Sequence, residues 1–247
     1  MKTITFFLSV LLFSTISAQN NQTVEALFLG NSYTAVNDLP QLIAQLANAS
    51  NDVLLYQSNC PGGAKFNTHC TNGTSISQIT SQKWDVVILQ AQSQEPAFPP
   101  AQVAQQTLPY ALILDSIIHQ NDSCTKTIFY ETWGRKYGDA SNCPFYPPIC
   151  TYSGMQDRLK ASYKLFADTC QALLAPAGEA WRQSIASNKS ARSILTSSII
   201  NNSNERIREI LRRFIEKCLF NVVLFSDFTA TPICGVLKSG INAPNGN

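Results

Sequence analysis

Short apolar runs alternate with helical patterns along this chain, and that alternation restricts the folds open to it. The apolar runs lie at residues 24–29, 53–56, 84–89 and 126–130. Apolar residues recur at helical spacing in residues 39–46, 101–119, 155–172 and 178–187. The unbroken run Val86, Val87, Ile88 and Leu89 is typical of a strand buried on both faces of a parallel sheet. The sequence therefore predicts an α/β protein, a three-layer α/β/α sandwich with a mainly parallel central sheet.

The first 18 residues have the pattern of a signal peptide. Lys2 is followed by an apolar stretch at residues 4–13 and then by the small residues Ser14, Ser17 and Ala18. The stretch is shorter than the roughly 20 residues that span a bilayer, and no later segment is long and apolar enough either. We expect a secreted chain with a signal peptide at residues 1–18, one domain at residues 19–234 and a loose tail at residues 235–247.

Composition limits the partners of the protein. The formal charge is +2 and charged residues make up 14% of the chain, which argues against a nucleic-acid partner. The 8 cysteines all follow the leader, which suits an oxidising compartment and predicts disulfides. Sequons predict a glycoprotein if the source is a eukaryote, and they occur at Asn21, Asn48, Asn72, Asn121, Asn188 and Asn201. The sequence leaves the oligomeric state open.

A serine stands where the first strand ends. Gly30, Asn31 and Ser32 follow the run at residues 24–29, and a helical pattern begins soon after. A tight turn between a buried strand and a helix lifts a serine hydroxyl clear of the sheet, as hydrolases require of a nucleophile. Ser32 is therefore the candidate nucleophile.

Several ordered blocks resemble the SGNH (GDSL-type) hydrolases. The blocks are residues 27–34, residues 37–40, Pro61-Gly62-Gly63 and residues 84–90. The chain is similar to a secreted bacterial-type branch of that superfamily, which also has a stretch like residues 132–135 through Cys143, Cys150 and residues 154–155. The resemblance covers roughly residues 24–182, and it implies an SGNH/flavodoxin-like fold.

The resemblance also implies roles for single residues. Ser32 would attack an ester carbonyl, and its backbone N–H would form an oxyanion hole with that of Gly63 or Gly62. Gln92 stands where the superfamily has an asparagine that supplies a further donor. No cofactor is implied, and no cluster of residues has the spacing of a metal site. Tyr33 and Phe98 are candidates for lining an acyl or sugar site.

The Asp-x-x-His-Pro block that supplies the acid and base of this family is not recognisable. Alignment puts Ile199 at the aspartate position and Asn202 at the histidine position, and neither side chain can take a proton from Ser32. The charged segment at residues 205–217 follows a helical period, so it is either an amphipathic helix or the product of a frame error in the gene sequence. Resequencing the transcript across codons 195–218 separates these two. The only two histidines, His69 and His119, fit surface or helix-end positions better than a catalytic one.

Three glutamines and the cysteines are further candidates for a functional or structural role. Gln90, Gln92 and Gln94 alternate, so they form either a solvated edge or a row of amides that binds sugar hydroxyls. Cys60 with Cys70, and Cys143 with Cys150, are candidates for local disulfides that close short loops. The pairing of Cys124, Cys170, Cys218 and Cys234 is left open by the sequence.

Two functions of different classes are consistent with these residues. One is a secreted SGNH-type serine ester hydrolase that acts on small acyl esters, including those on carbohydrate. The other is a non-catalytic relative that binds a glycan or acyl ligand in the same pocket. The family favours the first, and the missing Asp and His favour the second.

Overall fold

A single parallel sheet forms the centre of the molecule. The computed structural model describes residues 23–49 and 51–187. In this part of the chain the strands are β1 (Thr23–Leu29), β2 (Val53–Asn59), β3 (Val86–Leu89), β4 (Lys126–Tyr130) and β5 (Leu173–Ala175). They lie in the order β2-β1-β3-β4-β5, and all four strand pairs are parallel. The predicted parallel sheet is confirmed, and β1 lies near its middle, where both faces are covered.

Helices connect the strands. They are α1 (Ser32–Ala35), α2 (Leu39–Asn48), α3 (Phe66–Thr71), α4 (Gly73–Thr80), α5 (Pro100–Gln106), α6 (Leu108–Asn121), α7 (Tyr152–Cys170) and α8 (Ala177–Ser187). Short 3-10 turns occur at Glu95–Ala97 and Pro147–Ile149. No helix among the described residues is both long and apolar enough to cross a membrane.

Alternate side chains of the strands enter two separate cores. Phe28 and Ile88 point to the face covered by α2 and α8, where Leu39 and Ala180 pack against them. Leu29 and the other alternate residues point to the face covered by α3, α4, α6 and α7. The period of two along each strand thus produces the predicted three-layer sandwich.

The helix predicted at residues 101–119 is two helices. α5 ends at Gln106, the cap residue Thr107 has a φ of −119° that departs from helical geometry, and α6 then starts with Pro109 in its first turn. Proline has no N–H for an i→i−4 hydrogen bond and is tolerated only at the beginning of a helix. Pro109 therefore divides one apolar period into two elements.

The carboxyl ends of the parallel strands meet at one edge of the sheet. The loops that leave β1, β3 and β4 carry Ser32, Gln92 and Trp133, and the loop after β2 carries Gly63. Ligands of open α/β sheets bind at this edge. The fold thus brings the candidate site residues of separate sequence blocks to one side of the molecule.

Candidate active site

Ser32 begins a single helical turn directly after β1. It is partly exposed and is the first residue of α1, which has Asn31 as its N-cap. The Asn31 Oδ1 accepts a hydrogen bond from the backbone N–H of Tyr33 at 3.0 Å. This cap fixes the turn locally, as asparagine commonly does at a helix start.

Asn31 also ties three loops of the carboxyl edge together. Its Nδ2 donates to the carbonyl of Ala64 at 3.0 Å and to that of Ala91 at 3.4 Å. Ala64 follows Gly63, and Ala91 precedes Gln92. The side chain of Asn31 is buried, so these bonds form away from competing water. Asn31 is therefore a hub: Ser32 follows it directly, and Gly63 and Gln92 are each next to a residue that it bonds.

The glycine pair leaves open space beside this hub. Gly62 and Gly63 are exposed, and a Cβ added at either would meet no heavy atom within 4 Å. Gly63 has φ of +70°, a left-handed backbone conformation that favours glycine. The loop is held from behind, since the N–H of Ala64 donates to the carbonyl of Pro61. An incoming group can therefore approach the backbone closely here.

Gln92 presents its amide in a fixed direction. Its Oε1 accepts from the backbone N–H groups of Gln94 at 2.7 Å and Glu95 at 3.0 Å. Its Nε2 lies 3.3 Å from the Oε1 of Gln94. An amide NH₂ has two donors, so the bond to Gln94 uses one N–H of Gln92 and leaves the other.

Neither interpretation of Gln90, Gln92 and Gln94 from the sequence, a solvated edge or a row of sugar-binding amides, holds for all three residues. Gln90 is fully buried, and its Oε1 faces Asn31 and Thr34. Gln94 donates from Nε2 to Asp139 Oδ2 at 2.8 Å. β3 ends at Leu89, so the three residues are not on one extended strand and do not share a direction.

The sequence predicts that His69 lies at the surface or at a helix end; it lies in the last turn of α3, but it is buried, so the predicted surface position is wrong. Its Nε2 lies 2.9 Å from the carbonyl oxygen of Gly30, and its Nδ1 lies 2.8 Å from Ser75 Oγ. A carbonyl only accepts, so Nε2 carries the proton and Nδ1 accepts from the Ser75 hydroxyl. Burial lowers the pKa of His69, and the Gly30 contact partly opposes that shift. With both nitrogens engaged, the ring braces the turn that carries Ser32.

His119 lies at the opposite edge of the sheet. It is in the last turn of α6, just before β4 begins, and its Nδ1 lies 2.9 Å from the carbonyl of Asp115. The same nitrogen is 3.3 Å from the carboxylate of Asp115. A helix that precedes a parallel strand ends at the amino edge, away from Ser32, so His119 cannot act on that hydroxyl.

The loop after β4 is closed by a disulfide and is hydrogen-bonded to the loop after β3. A disulfide joins Cys143 to Cys150, as predicted. The buried Asp139 accepts from Gln94 Nε2, from Asn142 Nδ2 at 2.7 Å and from Arg135. These donors lower the pKa of Asp139, although burial itself acts to raise it.

The predicted Cys60–Cys70 disulfide is wrong, since both thiols are free. Cys60 packs against the core on the α2 side and Cys70 against the core on the α6 side. The sheet therefore separates the two sulfurs, although only ten residues separate them in sequence. Burial raises the pKa of Cys60 to about 12 and that of Cys70 to about 11. Both thiols are inert as nucleophiles at neutral pH.

Two aromatic side chains connect the first and fourth loops. The ring centroids of Tyr33 and Trp133 are 5.0 Å apart with 33° between the planes. Tyr33 thus has a packing partner, while Phe98 packs against the core on the opposite side of the sheet. Among the described residues no group of three or more His, Cys, Asp or Glu has the arrangement of a metal site.

Ile199 and Asn202, the positions of the missing acid and base, lie outside the described residues. The signal peptide, the tail at residues 235–247 and the segment at residues 205–217 also lie outside them. The described sequons differ in accessibility: Asn48 is exposed, while Asn72 and Asn121 are half-buried and hydrogen-bonded.

The fold resembles those of solved bacterial proteins. A candidate SGNH hydrolase from Slackia heliotrinireducens aligns with a TM-score of 0.56 at 19% identity, covering 80% of this chain and 99% of that one. A DUF4886 family protein from Bacteroides uniformis aligns with a TM-score of 0.56 at 14% identity, covering 83% and 96%. No protein-family model matches the sequence, and no curated protein matches it. The chain therefore has the fold of the SGNH (GDSL-type) hydrolases.

Proposed function

We propose that this protein is a secreted serine ester hydrolase of the SGNH type that acts on small acyl esters. The observation that carries the proposal is the Asn31 hub, which bonds to the neighbours of Gly63 and Gln92 from the turn that bears Ser32. A nucleophile and its oxyanion donors must surround one carbonyl, and this hub supports such an arrangement. The shared fold is consistent with it.

In this proposal Ser32 Oγ attacks the ester carbonyl and forms a tetrahedral intermediate. The oxyanion accepts from the backbone N–H groups of Ser32 and Gly63 and from Gln92 Nε2. Collapse of the intermediate breaks the ester C–O bond, and the departing alkoxide takes up the equivalent of the proton lost by Ser32 and leaves as the alcohol. Water then hydrolyses the acyl group on Ser32 to a carboxylic acid and restores the serine hydroxyl. Loss of one oxyanion donor typically raises the barrier by about 3 kcal/mol. No metal or cofactor takes part in these steps.

Neither histidine of the chain is placed to act as the general base for Ser32. His69 is bonded on both ring nitrogens, and His119 lies at the far edge of the sheet. The chain has no other histidine. Without an adjacent base the Ser32 hydroxyl is a weak nucleophile at neutral pH, and only the oxyanion donors lower the barrier to its attack. We therefore expect slow, Ser32-dependent turnover.

The missing base also favours a second candidate function. A relative that only binds a glycan or acyl ligand needs the pocket and its donors but no base for Ser32. A fluorophosphonate probe separates the two functions, because it labels only activated serines. Labelling of the wild type that is absent in Ser32→Ala supports the hydrolase, and absence of labelling in both supports binding alone.

A carbohydrate ester is the substrate class that we propose. Phe145 is 86% exposed and Tyr137 is 72% exposed. Both lie on the loop after β4, which contains the disulfide and in which Asp139 accepts a hydrogen bond from Gln94. Aromatic faces held on a rigid loop suit stacking on sugar rings. We expect Phe145→Ala to weaken binding of an O-acetylated polysaccharide several-fold in affinity electrophoresis. Leu165→Ala, which truncates an exposed apolar residue on α7, is the matched control and should not change binding.

Secretion and glycosylation complete the proposal. The leader at residues 1–18, the disulfide and the sequons support an extracellular location. Asn48 is the exposed sequon of the described residues and the preferred site of a glycan in a eukaryotic host. N-terminal sequencing of the secreted protein should start near Gln19, and an intact residue 1 would contradict the signal peptide.

A further inference from the structure

We propose that Gln90 is a positioning residue for Ser32, holding the nucleophile turn from inside the protein. Its Oε1 accepts from the backbone N–H of Asn31 at 2.9 Å and from Thr34 Oγ1 at 3.0 Å. These two donors flank Ser32, one on each side in sequence. The inference rests on the proposed function, because it assigns to Gln90 the orientation of the hydroxyl that attacks.

The orientation of the Gln90 amide is fixed by a third contact. Its Nε2 donates to the carbonyl of Ala91, so the carboxamide cannot flip without losing all three bonds. Gln90 is fully buried, which places its hydrogen bonds out of contact with bulk solvent. A flexible polar side chain thereby becomes a rigid bracket between the end of β3 and the turn after β1.

The turn packs closely against Gln90 and Thr34 at Gly30. A Cβ at Gly30 would lie 2.7 Å from Gln90 Oε1 and 2.7 Å from Thr34 Oγ1. A side chain at position 30 would therefore displace the Gln90 amide or the Thr34 hydroxyl, since real Cβ atoms do not approach so closely. From another direction His69 Nε2 donates to the Gly30 carbonyl at 2.9 Å. The turn is held at Gly30, Asn31 and Thr34, and Ser32 is left free to reach the substrate.

The test compares two buried glutamines with the same substitution. Gln90→Met keeps the length of the side chain but removes its hydrogen bonds. Gln156→Met is the control: Gln156 is equally buried, accepts from Gly134 N–H at 2.8 Å and donates to Glu131 at 2.8 Å, but it braces the loop after β4. We expect both variants to lose a similar free energy of unfolding. A difference between them in the reactivity of Ser32 therefore reports the positioning of that residue and not a general loss of stability.

The first readout is the rate of phosphonylation of Ser32 by a fluorophosphonate, measured by mass spectrometry on folded protein. We expect Gln90→Met to lower this rate at least tenfold relative to wild type, and Gln156→Met to stay within about threefold. If Gln90→Met does not fold, Thr34→Val takes its place. This variant removes one of the two donors to Gln90 Oε1, and we expect its phosphonylation rate to lie between those of wild type and a protein without the Gln90 contacts. Equal rates for Gln90→Met and Gln156→Met would overturn the inference.

The second readout does not need an active enzyme. Hydrogen exchange of the Asn31 amide should accelerate at least tenfold in Gln90→Met and remain as in wild type in Gln156→Met. If wild-type Ser32 is not phosphonylated, the proposed function fails, and this exchange alone decides whether Gln90 holds the turn. Unchanged protection of Asn31 in Gln90→Met would contradict the bracket whatever the activity.

Discussion

At the scale of single residues, the candidate site is a set of buried polar contacts behind a few exposed atoms. Ser32, Gly63 and Gln92 are the residues that the sequence predicts to meet substrate. Asn31 and Gln90 hold them, and sequence reasoning did not assign these two roles. Asn31 sits inside the motif, but its neighbours at Ala64 and Ala91 become visible only when the loops are assembled. Backbone carbonyls have no sequence signal, which is why the hub could not be predicted.

Gly30→Ala tests the packing behind the nucleophile. The new methyl group would lie 2.7 Å from Gln90 Oε1 and from Thr34 Oγ1, so the bracket must shift. We expect the free energy of unfolding to fall by about 1–3 kcal/mol, as for other overpacked sites. Gly62→Ala, where a Cβ meets open space, should change it by no more than about 0.5 kcal/mol. Equal effects in urea denaturation would contradict the close packing at Gly30.

The raised pKa of Glu131 allows a prediction of how the free energy of unfolding depends on pH. It is fully buried at the end of β4, and burial followed by repulsion from Glu179 raises its pKa from 4.5 to about 8, against attraction from Lys160 and Arg182. Between these pH values the folded protein keeps a proton that the unfolded chain releases. Stability from this group is therefore lost as pH rises through the window, by up to about 1.4 kcal/mol per pH unit.

Glu131→Gln should remove this contribution. The new amide oxygen can still accept from Gln156 Nε2, which donates to Glu131 at 2.8 Å. We expect the difference in unfolding free energy between variant and wild type to grow in favour of the variant from pH 5 to pH 8. Parallel stability curves over that range would show that Glu131 ionises normally in the folded protein.

At the scale of elements, the sequence predicts those strands and helices that have a strong local pattern and does not predict those that have a weak one. The runs that became β1, β2, β3 and β4 are rich in apolar residues and were recognised. β5 (Leu173–Ala175) has three residues and no period, so it follows α7 without a signal of its own. α3 and α4 are short and polar, and tertiary contacts such as buried Phe66 and Ile79 decide their structure.

Cysteine pairing also required the assembled fold. Both predicted loops are short, but Cys143 and Cys150 lie 4.8 Å apart between Cα atoms, whereas Cys60 and Cys70 pack on opposite faces of the sheet. Loop length limits which cysteines can pair, and the sheet decides which of them do.

Peptide mapping tests the pairing directly. We expect a cross-linked peptide containing Cys143 and Cys150, and no peptide that joins Cys60 to Cys70. Iodoacetamide should modify Cys60 and Cys70 only after unfolding, because burial raises the pKa of both thiols. Replacing Cys143 and Cys150 by serine should lower stability by about 2–3 kcal/mol, the value for a loop of this size. A Cys60–Cys70 cross-link would contradict the separation of the two cores.

At the scale of the whole molecule, the fold explains why distant blocks of sequence act together. Parallel strands direct the loops after β1, β2 and β3 to one edge, so Ser32, Gly63 and Gln92 assemble although 60 residues separate the first from the last. The order of these blocks was enough to predict the edge and the three-layer fold. The acid and base could not be predicted in the same way, because residues at the Ile199 and Asn202 positions cannot take a proton.

Steady-state hydrolysis of p-nitrophenyl acetate tests the central claim, that Ser32 is the nucleophile of an ester hydrolase site, most directly. The purified wild-type protein is compared with Ser32→Ala and with the Ile199→Asp/Asn202→His double variant. We predict slow hydrolysis by the wild type, loss of that hydrolysis in Ser32→Ala and faster hydrolysis in the double variant, which restores an acid and a base. Equal rates in all three proteins would contradict the hydrolase site and leave a binding protein with the same fold.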